Sequence, residues 1–156
     1  MIGGDDADMN ENTQHSLAKP LGRYPFLRRA GDFIYLSGVS ARLPNGTIAG
    51  VEPNDNGFAT DIRVQTRTVL DKIRTVLASV DAQLSDCVEI IAFLTNMDDF
   101  AAYNEVYAEY FDATGPVRTT IGVCALPHPN MVVEMRAVAF MKSGPETDRI
   151  PRDIGR

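Results

Sequence analysis

From Asp61 onward, Ile62, Thr66, Val69, Leu70, Ile73, Val76, Leu77 and Val80 recur at intervals of three and four. That spacing lines one face of an α-helix, so a helix is predicted to begin at Asp61. Upstream, two short apolar runs at residues 24–29 and 33–37 flank Ala30-Gly31-Asp32, which supplies turn geometry, and together they predict a β-hairpin. Residues 87–95 are apolar almost throughout and rich in β-branched side chains, the pattern of a strand covered on both faces. Met97-Asp98-Asp99-Phe100 then offers an aspartate cap to a second helix reaching about residue 111. Along it Phe100, Tyr103, Val106, Tyr107, Tyr110 and Phe111 form an aromatic stripe, most simply read as the face that packs on a sheet. Two further β-rich runs, residues 118–126 and 131–141, surround Pro127-His128-Pro129-Asn130, which must turn, so a second hairpin is expected to close the chain. The segment through Pro44-Asn45-Gly46 and Glu52-Pro53-Asn54 reads as a loop.

The element order is therefore ββαβαββ, an α+β fold with a mixed sheet and both helices on one face. Such a sheet leaves its other face bare, and residues 87–95 ask for cover on both sides. An oligomer whose sheets face each other is the expected answer. Residues 1–19, acidic and polar, and 143–156, rich in charge, Gly and Pro, lack apolar periodicity and read as tails around one domain at 20–142.

Charge narrows the partners. A formal net charge of -6 over 156 residues opposes nucleic-acid binding, which needs a clustered basic surface, and favours a small metabolite. The first residues have neither the basic nor the apolar region of a secretion signal. The longest apolar run, residues 88–94 broken by Glu89, is far short of a membrane span. Cys87 and Cys124, the two cysteines, form no disulfide framework, so a cytoplasmic protein is expected.

Few residues are equipped for chemistry. The two histidines, His15 and His128, stand apart, and no H-x-E with C-x-x-C is present to hold zinc. No G-x-G-x-x-G, P-loop or G-x-S-x-G occurs either. No metal and no cofactor is expected. Glu134, however, interrupts an apolar strand, sharing by period two a face with Val132, Arg136, Val138 and Phe140. It is either one half of a surface pair with Arg136 or a carboxylate aimed into a cleft between subunits. Arg118 opens the preceding strand after Gly115-Pro116-Val117; it is either solvated or a bidentate carboxylate binder.

Taken together, Gly22-Arg23-Tyr24, Ser37-Gly38, the run NMDDFAAYN ending at Asn104, Gly115-Pro116-Val117-Arg118-Thr119-Thr120, Ala125-Leu126-Pro127 and Val133-Glu134 resemble the reactive intermediate deaminase (YjgF/RidA-like) family over residues 20–142. The resemblance implies a chorismate-mutase-like fold, a homotrimer and active sites between subunits. It assigns Arg118 to the grip on a substrate carboxylate and Glu134 to the attacking water. Tyr24, Ser37, Gly38 and Asn104 match cleft positions, and Thr120 stands where many relatives have cysteine. Val39, where many have glutamine, suggests a substrate other than the small 2-imino acids. Leu126-Pro127-His128-Pro129-Asn130, Gly22 to Pro25 and Tyr103 to Tyr107 look like the 2-aminomuconate deaminase branch, with His128 expected at the distal half of a dicarboxylate. Alternatives are a general 2-imino acid deaminase and a non-catalytic trimeric module that binds a carboxylate metabolite; an RNA-cleaving role fits the acidic balance poorly.

Overall fold

A computed structural model of the chain describes residues 17–142. The opening hairpin joins β1 (Leu27–Ala30) to β2 (Phe33–Leu36), with Ala30 opposite Phe33 and Gly31 at φ 61, a conformation that glycine adopts without strain. A short β3 (Val39–Ser40) follows, then β4 (Val51–Asn54) and β5 (Gly57–Thr60). Helix α1 spans Ile62–Ala78, and the Asp61 side chain accepts the Arg63 and Val64 backbone N–H groups at its start. After it come β6 (Cys87–Leu94), α2 (Phe100–Tyr107), β7 (Val117–Gly122) and β8 (Val133–Phe140).

The main sheet runs β1-β2-β8-β6-β7, with β3 also paired to β8. All its pairings are antiparallel except β6 with β7, which makes the sheet mixed. Both helices share one core with it: Val69, Leu70, Ile73 and Leu77 of α1 and Tyr103 of α2 meet Ile90, Met135 and Ala137. Leu17 joins this core as well, so packing begins ahead of the expected domain start at residue 20. Residues 1–16 and 143–156 of the expected tails fall outside the described residues.

The closing hairpin is a correction. β7 pairs in parallel with β6 and has no pairing with β8, which instead lies at the centre of the sheet between β2 and β6. Burial explains the placement. Val133, Met135, Ala137 and Ala139 are fully buried on one face of β8 and Val138 nearly so on the other, whereas no residue of β7 is buried. The apolar strand takes the centre and the polar one the edge. Residues 123–132 need only cross two strand spacings, roughly 10 Å.

Two smaller expectations also change. The segment read as a loop contains the β4–β5 hairpin, whose turn is stabilised by the Asn54 side chain accepting the Asn56 N–H, with Gly57 at φ 123. The second helix is preceded by a turn of 3₁₀ helix, Met97–Asp99, capped by Asn96 through the Asp98 N–H, and the Asp99 side chain makes no capping bond.

In β6 burial alternates: Ile90, Ala92 and Leu94 face the helices while Glu89, Ile91 and Phe93 remain half-buried. Phe33, Tyr35, Val117, Ile121 and Phe140 are exposed on that second face, Phe33 and Phe140 edge to face at 5.2 Å. Among the described residues no helix is long and apolar enough to cross a membrane.

Candidate active site

The site begins at a fault in the sheet. Tyr35 lies opposite Val138 and Val39 opposite Met135, so three residues of the β2–β3 stretch face two of β8, the one-residue excess of a bulge. The excess falls at Leu36-Ser37-Gly38. Ser37 is tied down twice, its N–H to the Phe26 carbonyl at 2.9 Å and its hydroxyl to the Pro25 carbonyl at 2.7 Å. At Gly38 the Glu134 carboxylate comes so close that a Cβ on residue 38 would lie 2.4 Å from Oε1. A side chain at residue 38 would push the carboxylate out of this position.

Glu134, the second residue of β8, lies between Ser40 and Phe93 on the flanking strands. Burial raises its pKa above the ordinary carboxylate value. Arg136 does not neutralise it, because Arg136 pairs with Glu89 at 3.2 Å. Among the described residues Glu134 has no cationic partner. The surface-pair reading therefore gives way to a half-buried, unpaired carboxylate. It lines a cleft of about 80 Å³ together with Tyr24, Ser37, Gly38, Pro127 and, from α1, Lys72.

Arg118 occupies a different place. Its register partner is Ile90, three residues from Phe93, the partner of Glu134, and an odd separation along a strand puts the two on opposite faces. The guanidinium accordingly lies on the helix side, over the rings of Tyr107 at 4.5 Å, Tyr103 at 5.3 Å and Phe100 at 5.9 Å. Such cation–π contacts hold a guanidinium without neutralising it. No described carboxylate pairs with it. The aromatic stripe thus packs on the sheet, as expected, and also cradles Arg118. Asn104 shares this helix face by its spacing from Phe100 and Tyr107.

Beneath the guanidinium, the hydroxyls of Tyr103, Tyr107 and Thr120 are buried without a formed hydrogen bond. Tyr103 lies beside Arg118 and Thr120, but burial outweighs their pull and raises its pKa; that of Tyr107 is pushed up to about 12, again chiefly by burial. All three hydroxyls stay protonated at neutral pH.

The candidate residues thus fall into two groups. Tyr24, Ser37, Gly38 and Glu134 gather around the bulge; Arg118, Thr120 and Asn104 gather across the sheet. His128 belongs to neither: its Nδ1 accepts the Asn130 N–H at 3.1 Å inside the turn, and it does not line the cleft. The turn is held from below by Gln65, fully buried in α1, whose amide donates to the Asn130 carbonyl at 2.8 Å and accepts the Val132 N–H at 3.0 Å. Sequence reasoning passed over Gln65, although an amide between Ile62 and Thr66 on the core stripe was a signal. It also passed over Arg42 and Lys72, both of which line the cleft.

Among the described residues, eight strands, six of them in one mixed sheet, and two α-helices define a small α+β protein. The family model described as Endoribonuclease L-PSP matches residues 13–141. A RutC family protein of Pyrococcus horikoshii is 34% identical over 123 residues, 78% of this chain and 90% of that protein. Among solved structures, a Rid family protein of Yersinia pestis, YyfA, is 30% identical with a TM-score of 0.70, covering 81% of this chain and 94% of that one. E. coli TdcF, solved with bound serine, is 26% identical with a TM-score of 0.69, covering 83% and 95%. The chain belongs to the Endoribonuclease L-PSP family, the family of the RutC and Rid proteins.

Proposed function

We propose that the protein is a hydrolytic deaminase of enamine or imine carboxylates, acting in a homotrimer whose active sites join the Arg118 half of one protomer to the Glu134 half of the next. One observation carries this reading: an unpaired guanidinium and an unpaired, half-buried carboxylate stand on opposite faces of one sheet, and a neighbouring protomer would bring the two to one substrate. The exposed apolar residues of the open face supply the surface on which protomers would associate.

In the reaction, Arg118 takes the substrate's C1 carboxylate as a bidentate partner. The enamine tautomerises to the 2-imine, and water adds to C2 while Glu134 accepts its proton. Glu134 returns that proton to nitrogen to give the neutral carbinolamine, which expels ammonia as its hydroxyl proton passes to the leaving nitrogen and the C–N bond breaks, leaving the 2-oxo acid or its enol. A carboxylate with a raised pKa suits both transfers near neutrality. No step requires a metal or cofactor. The proposed substrate is 2-aminomuconate, giving 2-hydroxymuconate and ammonia, as in bacterial aromatic degradation. The serine bound to TdcF, a small amino acid, favours a second reading: a 2-imino acid deaminase, or a module that only binds such metabolites.

Ammonia release separates these readings. The protein is expected to release ammonia faster from freshly generated 2-aminomuconate than from 2-iminobutanoate. The reverse preference would move it to the 2-imino acids, and release from neither would leave a binding module. Light scattering is expected to give about three times the 17.1 kDa chain mass. A stable monomer at micromolar concentration would sink both the trimer and the shared site.

A further inference from the structure

The cleft beside Glu134 contains more positive charge than the deamination scheme uses. Lys72, half-buried on α1, and Arg42, just beyond β3, both line it. The Lys72 ammonium donates to the backbone carbonyls of Ser40, at 3.1 Å, and Arg42; the Arg42 guanidinium donates to the carbonyl of Lys19. All three acceptors are neutral. The ion pairs among the described residues are Arg63 with Glu105, Arg67 with Glu109, Arg74 with Asp71 and Arg136 with Glu89, so neither cation has an acidic partner.

We propose that Arg42 and Lys72 form a second anion subsite, which takes the distal carboxylate of a dicarboxylic substrate whose reacting end lies at Glu134. The assignment of the reacting end rests on the deaminase reading; the subsite rests on the cleft. Two like charges held together in a partly desolvated cleft are costly unless an anion joins them. The cost is visible at Lys72, where burial and then the Arg42 charge lower the ammonium pKa to about 8. Glu134 is not the missing anion, since it forms no ion pair with either cation. The cations line the same cleft as Glu134 without pairing with it, which suits an acid with a short carbon chain between its two carboxylates. A monocarboxylate held by Arg118 would leave this pair unused.

Muconate and sorbate test this directly, because both are unreactive six-carbon dienes and only muconate has a carboxylate at each end. Titration calorimetry on the full chain is expected to show muconate binding more tightly than sorbate. Lys72→Met and Arg42→Gln should each weaken muconate by about ten- to a hundred-fold, the range for a lost charge-assisted contact, and leave sorbate unchanged. Equal loss of both ligands would mean that the cations only hold the cleft open and would overturn the subsite. So would muconate binding that neither substitution weakens. The readout needs no turnover, so selective muconate binding without ammonia release would retain the subsite and remove the deaminase, while ammonia release without that selectivity would do the opposite.

Discussion

Glu134→Gln is expected to lower turnover by about 10² to 10⁴, the span of general acid-base assistance, while substrate binding stays near wild type. The substitution keeps the side-chain shape against Gly38 and removes the proton acceptor. Stability should not fall. Burial raises the Glu134 pKa, so the folded protein prefers the protonated form, and that advantage is full in acid and lost as pH rises through the raised value. At neutral pH the ionised carboxylate is a cost that glutamine removes, and the Tm of the variant should equal or exceed that of wild type. Single-turnover kinetics beside a thermal melt would check both parts. Near-normal turnover would take the water-positioning role away from Glu134.

Arg118→Ala should have the complementary profile, weakening substrate binding by about ten- to a hundred-fold or more, because a guanidinium fork on a carboxylate contributes roughly 1.5–3 kcal/mol. Lysine at this position keeps the charge but loses the planar fork and the fit over the Tyr107 ring, so Arg118→Lys should recover only part of the affinity. Arg118 has no ion pair to lose, and the melting temperature should move little. Equilibrium binding of an unreactive carboxylate analogue would separate this effect from chemistry; unchanged affinity in Arg118→Ala would assign the carboxylate to another cation.

What the sequence revealed of the fold was its local part. The stripe of α1, the Gly31-Asp32 turn and the strand at 87–95 are set by residues within a few positions of one another, and each was legible. Sheet order is not local. Nothing between residues 118 and 141 says that β7 will leave β8 for a parallel place beside β6; that follows from which strand buries more, a property of the whole sheet. The β4–β5 hairpin was hidden for the opposite reason: with Phe58 62% exposed and most of its other residues exposed too, it lacks the alternation that marks a half-buried strand.

The site divides along the same line. Glu134 stood out as a charge in an apolar strand and Arg118 as an arginine at a strand start, whereas Ser37 and Gly38 entered only through the family resemblance, which also gave the two charges their roles. Their separation onto two faces could not be read without the register. Lys72 was invisible because a lysine on an amphipathic helix usually signals its solvated side; only the packing of α1 against the segment after β3 turns it into the cleft.

The placement of Arg118 and Glu134 across the sheet has a genetic consequence. In the proposed trimer, two chains each inactivated at one of these positions would carry their lesions in different halves of a shared site, so a mixed assembly would rebuild what neither possesses. In a cyclic trimer of Arg118→Ala and Glu134→Gln chains, any mixed ring has one intact pairing, and random equal mixing should restore about a quarter of wild-type activity. Co-expressed alleles should therefore complement, whereas the double variant expressed with wild type should lower activity by dilution of intact pairings. Absence of complementation between two well-folded, co-assembled chains would place both residues in one protomer's site.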